Sequence, residues 1–169
     1  MIDLEDKNYC ICQKYKNSQN ECIDEYTIRE KGKSVELKPK NSDEKVIAII
    51  IDQCLIKDNN TKCDALFLFN SNNKKVSFLT ELKGAGDIEK AFFQLSYTQK
   101  NRVEYKNIIT KFQEIDNKKV KVIEKFVIVS NGMLNKIELA KLENRYKVRV
   151  VGVLHSEPMK PIPNLRDYI

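Results

Sequence analysis

Residues 62–97, KCDALFLFNSNNKKVSFLTELKGAGDIEKAFFQLSY, decide how this chain folds. Two apolar runs, Ala65 to Phe69 and Val76 to Leu82, carry β-branched and aromatic residues and flank a polar Asn/Ser/Lys cluster. Runs of that kind around a polar break read as a β-hairpin. With Asn72-Asn73 as the two-residue turn, cross-strand partners have numbers summing to 145, and Asp64 falls opposite Glu81. Asn tolerates the left-handed conformation expected of so tight a turn. Side chains alternate along a strand, so Asp64, Glu81 and Lys83 share one face. A register slip of one residue would separate them. Behind the hairpin, Gly84-Ala85-Gly86 reads as a loop, Asp87 as a helix N-cap, and Ile88, Ala91, Phe92 and Leu95 as the buried stripe of a helix.

Asp64 opposite Glu81 is an unfavourable pair unless something lies between them. Carboxylates at about 4.5–5.5 Å between Cβ atoms repel, and a bound cation is the simplest compensation. Oxygen ligands suit a hard divalent ion, Mg²⁺ or Mn²⁺. Lys83 adds a fixed positive charge beside that position. A metal, two carboxylates and an ammonium group can together hold a phosphate, orient a water and stabilise charge on pentavalent phosphorus. The competing reading is a solvated Glu81/Lys83 pair at a strand end. The small residues at 84–86, which let a phosphate approach, favour the functional one.

At these residues the chain resembles the PD-(D/E)XK nuclease superfamily. Asp64 matches the first acid and Glu81-Leu82-Lys83 the (D/E)XK element, with a normal gap of 17 positions between the acids. Cys63 stands where many members carry Pro. The resemblance covers roughly residues 60–155. It implies a restriction-endonuclease-like fold, in which a mixed central β-sheet is flanked by helices. It implies Asp64 and Glu81 as metal ligands, completed by the Leu82 backbone carbonyl, and Lys83 as the group that positions water and stabilises the phosphorane. Gln94 falls on the following helix as an auxiliary to water, phosphate or carboxylate, or as an ordinary boundary amide. An upstream Glu often joins such sites, and Glu36, Glu44 and Asp52 are the candidates. Asp52 reads first as an acid at a strand bulge or facing water, and second as a third acid near the metal. The implied activity is metal-dependent phosphodiester hydrolysis, with DNA favoured over RNA. The alternative is an inactive nucleic-acid-binding or protein-interaction module on the same fold. Cutting both strands of a duplex calls for two sites, which makes a homodimer the analogous assembly.

The remaining chain sets the frame. Its 169 residues fit one domain: a variable N-terminal part (1–45), a core (46–155) and a C-terminal arm (156–169). Hydrophobic content of 41% and charged content of 32% fit a globular protein. No apolar run approaches the roughly 20 residues of a membrane span, and the acidic, polar start lacks a secretory pattern, so the expected location is cytoplasmic. The net charge of +6 leans towards a polyanionic partner. The five cysteines, an odd number in that setting, are expected as free thiols; Cys10, Cys12 and Cys22 lack the spacing of a zinc or iron–sulfur site.

Within residues 1–45, Cys22 to Arg29 reads as a short strand or part of a helix, and Lys31 to Asp43 as loop. Val46 to Ile56, the most apolar run, reads as one buried strand. The helix after Asp87 is expected to run on through Tyr105 and Ile108 towards Phe112, with Lys100, Arg102, Lys106 and Lys111 forming a basic side for phosphates. Phe93 and Tyr97 fall elsewhere on it, for base stacking or ordinary packing. Asp116 to Lys121 reads as a basic turn, Phe126 to Ser130 as a strand, Leu134 to Tyr146 as a helix and Val148 to Leu154 as a strand. That order implies a parallel, right-handed crossover. The Pro-rich tail reads as an extended arm on a second subunit or on its own core.

Overall fold

The computed structural model describes residues 10–13, 21–116 and 119–169. Five strands form the central sheet in sequential order: β4 (Lys45–Ile50), β5 (Ala65–Asn70), β6 (Lys75–Lys83), β7 (Val122–Ser130) and β8 (Val150–His155). The first three are antiparallel neighbours, while β6, β7 and β8 run parallel. The expected mixed sheet with helices is therefore present. The β5–β6 register follows the sum of 145 throughout, from Ala65↔Thr80 to Asn70↔Lys75. The turn closes with Ser71 N–H donating to the Lys74 carbonyl at 2.9 Å, but neither Asn72 nor Asn73 takes a positive φ. The left-handed turn expected there is not the one formed.

Every residue of β5 is buried, and every residue of β6 except Lys83. Phe67, Leu66, Leu68 and Phe78 sit in a core that continues through β7. Two parallel crossovers carry the helices. The first holds α1 (Ile88–Asn101) and α2 (Val103–Glu114), the second α3 (Lys136–Tyr146). In α1 the buried positions include Ile88, Ala91, Phe92 and Leu95, the stripe read from the sequence. The expected continuous helix is broken at Arg102, which is extended (φ −89°, ψ 112°). Tyr105, Ile108 and Phe112 are buried nonetheless, on α2. Lys75, almost fully buried, donates from Nζ to the Gln113 and Ile115 carbonyls. A cation thus sits at the C-terminal end of α2, where the helix dipole favours one. α3 starts with a capping box between Asn135 and Glu138. No helix among the described residues is long and apolar enough to cross a membrane.

Three expectations fail on the N-terminal side. Only the first half of the 46–56 run is strand; the chain turns at Ile51, and Gln53 takes φ 58°. Residues 31–43 are not all loop. A second sheet forms from β1 (Cys22–Asp24), β2 (Thr27–Glu30) and β3 (Lys33–Glu36). Its tight hairpin uses Lys31 (φ 47°) and Gly32 (φ 75°), the double positive φ of a strand-matching turn. The cysteines are not all free: Cys10–Cys54 and Cys12–Cys22 form disulfides, with Cα atoms 5.6 and 5.5 Å apart, and Cys63 alone is free among the described residues. Close approach in the fold overrides what an odd count suggests.

The C-terminal arm folds onto its own chain. Leu165 is fully buried, Arg166 makes a paired contact with Glu44 at 2.7 and 2.5 Å, and Asn164 Nδ2 donates to Glu36 Oε1 at 3.2 Å. Of the expected basic turn, Asn117 and Lys118 lie outside the described residues.

Candidate functional site

β6 ends at the sheet edge where the parallel strands have their carboxyl ends, a common place for ligand sites in α/β sheets. Glu81 and Lys83 point to one face there, and Lys83 Nζ lies 2.7 Å from Glu81 Oε1. Asp64 directly precedes β5 and is locked by its neighbours. Its N–H donates to Glu81 Oε2 at 3.2 Å, its Oδ2 accepts from the Leu82 N–H at 2.7 Å, and its carbonyl accepts from the Ile51 N–H at 2.9 Å. The structure thus brings Asp64, Glu81 and Lys83 together, and Leu82 joins through its amide.

Burial decides the electrostatics. Glu81 is fully buried and Asp64 only 6% exposed. Desolvation pushes the Glu81 carboxyl up to about 7, against the pull of Lys83. Desolvation, then the Glu81 charge, pushes Asp64 well above the carboxylate range. Two buried acids in contact cannot both ionise without a compensating cation. Asp64 holds the proton of the pair. Burial by itself would lower Lys83, but the Glu81 carboxylate outweighs it and the ammonium is held more firmly than usual. Lys83 is therefore a fixed cation rather than a ready base. Cys63, fully buried beneath, has its thiol raised by desolvation and by Glu81 and stays neutral.

A third acid, absent from the sequence reading, faces this pair. Glu30, at the end of β2, helps to raise the Asp64 carboxyl and acts electrostatically on Asp64, Glu81 and Lys83. The signal for it was the Lys31-Gly32 turn, which marks a hairpin and places Glu30 at its tip. The upstream acids weighed from sequence are elsewhere. Glu44 pairs with Arg166, Glu36 with Lys38 at 2.7 Å, and Asp52 with Lys62 at 3.1 Å. Each is paired with a cation outside the cluster, although the Asp52 N–H reaches the Asp64 carbonyl at 3.4 Å.

Gln94 touches no carboxylate. Its Nε2 donates to the Lys62 carbonyl at 2.7 Å, and its Oε1 is buried without a protein partner. It steadies the segment leading into Asp64. Asp87 occupies the start of α1 but makes no side-chain cap, because a 3₁₀ turn at Ala85–Asp87 precedes the helix. Arg102 is not a phosphate contact: it is buried and paired with Asp58 at 2.6 Å. Lys100 Nζ is engaged with Ser96 Oγ and the Tyr146 carbonyl. Phe93 and Tyr97 pack on each other with ring centres 6.0 Å apart, though Phe93 remains 44% exposed.

Among the described residues, no group of three or more His, Cys, Asp or Glu side chains is drawn together as a ready metal cage. The donor set still fits a hard cation in its chemistry. Asp64 and Glu81 are oxygen ligands whose mutual repulsion is relieved here by a proton, and Glu81 Oε1 has no aligned hydrogen-bond partner. Cβ atoms added at Gly84 and Gly86 would meet nothing within 4 Å, so open space adjoins Lys83. No protein family, curated protein or solved structure matches this chain, and the site stands on its own geometry.

Proposed function

We propose that this protein is a metal-dependent phosphodiesterase of the PD-(D/E)XK type, acting on nucleic acid, with DNA favoured over RNA. The observation that carries the reading is the Asp64–Glu81–Lys83 cluster. Two buried carboxyls are drawn together at the carboxyl edge of a mixed sheet, Glu81 on the Asp64 N–H and Asp64 on the Leu82 N–H, with an ammonium 2.7 Å from Glu81. Asp64 and Glu81, with the Leu82 carbonyl, would hold Mg²⁺ or Mn²⁺. Such an ion supplies Lewis-acid polarisation of a phosphoryl oxygen.

The chain's own groups do the rest. On holding a cation, Asp64 would release its proton to solvent, and the negative charges of Asp64, Glu81 and Glu30 would offset the added charge. Lys83, kept cationic by Glu81, binds the phosphate and neutralises charge that develops on phosphorus. Gln94 fixes the Lys62 carbonyl and so the approach of Asp64. The loop at 84–86 leaves the backbone open to the phosphate. A homodimer would supply two such sites for duplex cleavage. The cytoplasmic setting expected from the sequence sits uneasily with two disulfides, which persist in oxidising compartments; alkylation and mass measurement on protein purified without reductant separates the two.

The deciding experiment is cleavage of linear, circular and single-stranded DNA with Mg²⁺, Mn²⁺ or EDTA, comparing wild type with Asp64→Ala and Lys83→Ala. Metal-dependent cutting lost in both variants is expected. Cutting that survives both would overturn the assignment, and binding without any cutting would favour the inactive module.

A further inference from the structure

The site edge continues past Lys83 into a second recess. Lys83 pairs with Ser130, and Ser130 with His155, so the three form one row across β6, β7 and β8. Row neighbours share a sheet face, here the face that also carries Glu81. Adjacent strands are about 4.8 Å apart, which puts His155 about 10 Å from Lys83. At that point a groove of about 450 Å³ is lined by Met133, Leu134, Val153, His155, Glu157 and Lys160. Its volume falls in the usual range for small organic groups, about 300–1,000 Å³. The groove wall is coupled to the site: at Gly132 an added Cβ would come within 2.7 Å of Ala85 Cα, in the loop just after Lys83.

The lining is mixed in a useful way. Met133 is 86% exposed, and Leu134, Leu139 and Val153 continue the apolar wall beside it. Exposed apolar groups gathered at a concave site mark binding surfaces, and thioether and aliphatic walls accept a flat π-face. Glu157 supplies two acceptor oxygens, held in place by Lys160 Nζ at 3.0 Å and His155 Nε2 at 3.0 Å. Lys160, then His155, keeps that carboxyl below its usual range and so ionised.

We propose that this groove receives an unpaired nucleobase of the strand being cut, adjacent to the phosphate held at Lys83. The inference rests on the phosphodiesterase reading and specifies its substrate: a single strand, or a duplex with a base displaced beside the cut. A base must leave its stack to enter a recess of this size. Met133 and Leu134 take its face, and Glu157 accepts from an exocyclic amino group. Adenine and cytosine carry that donor, whereas thymine presents a carbonyl oxygen to the carboxylate.

The test is fluorescence anisotropy with labelled dA, dC and dT 12-mers and a matched duplex, all in EDTA so that cutting plays no part. Wild type should bind dA and dC tighter than dT and tighter than duplex. Met133→Glu, an exposed change that leaves the core untouched, should weaken single-strand binding about tenfold, the upper end for a thioether on a π-face. Glu157→Gln should reduce the preference for amino-bearing bases to under twofold. Equal affinity for duplex, or a Met133→Glu protein within twofold of wild type, overturns the groove. So does a Met133→Glu change that only converts a dimer to a monomer, since the rim would then be a contact between copies. A protein that cuts but binds without regard to Met133 overturns the groove alone. One that binds as described but never cuts overturns the phosphodiesterase reading alone.

Discussion

The two sheets are stabilised by different means. The five-stranded sheet is a continuous apolar layer: β5 is buried along its whole length, and the side chains of β5, β6 and β7 fill one core. The three-stranded sheet buries only a few residues, chiefly Thr27, Ile28, Ser34 and Val35. It joins that core through Ile28 and Val35, and is further held by the Cys12–Cys22 disulfide, by Ser34 N–H donating to Ser156 Oγ at 2.9 Å, and by the Glu36–Asn164 pair. The core sheet fixes Asp64, Glu81 and Lys83, whereas the small sheet contributes Glu30. A rigid layer thus sets the shape of the site, and a separately fastened one supplies a third charge to it.

The largest effects are expected from the core-sheet side. Lys83→Ala should lower metal-dependent cleavage about 10³-fold, at the upper end for loss of one electrostatic stabiliser, with an unchanged circular dichroism spectrum. Phe67→Ala should destabilise the fold by about 4 kcal/mol, as for other buried aromatics, in urea unfolding. A loss under 1 kcal/mol would mean that the two sheets do not differ as described.

Removing Cys12–Cys22 by Cys22→Ser should lower stability by about 3 kcal/mol, typical for a disulfide. Hydrogen exchange should rise first in residues 21–36 rather than in β5–β7. Uniform loss of protection would show that the small sheet is no separate unit.

Stability in EDTA should fall as pH rises from 5 to 8. The folded carboxyl of Glu81 titrates near 7, against the ordinary 4.5. Its contribution is fully present below the unfolded value and disappears as pH passes the folded one. Asp64, raised further, acts with the same sign. The Glu81 share of the fall should be on the order of 2 kcal/mol, and Glu81→Gln should remove that share while the part due to Asp64 stays. Stability that rises over this window in wild type would contradict the buried pair. The smallest effect falls on the small sheet. Glu30→Gln should weaken Mn²⁺ binding about tenfold, as for groups that support metal ligands, read by calorimetry.

How far the sequence revealed these features follows from the same contrast. The β5–β6 register was legible because long apolar runs on both sides of a polar break leave one alignment that keeps a buried face buried. That alignment placed Asp64 beside Glu81. The small sheet was not legible because its strands are three or four residues long, too short for a period to show. Only the Lys31-Gly32 turn marked it. Val46 to Ile56 looked like one strand because burial, not extension, explains its composition; Ile51, Cys54 and Ile56 are buried in a turn. The cysteine pairs are invisible to spacing because Cys10 and Cys54 are 44 positions apart. Gln94 was placed on the correct helix, but its amide partner, the Lys62 carbonyl, depends on a loop-to-helix distance that no residue pattern encodes.

The break at Arg102 governs a length. An unbroken helix from Ile88 to Glu114 would run about 40 Å, while nine-residue β7 spans about 30 Å. The crossover leaves the sheet at its carboxyl edge and must re-enter at the opposite edge, where Val122 begins. A straight rod would overshoot by a third. The single extended residue gives the rod an elbow that absorbs the slack, and Asp58 and Glu104 fasten that elbow through the buried guanidinium. The number of residues between β6 and β7 is thereby freed from the height of the sheet.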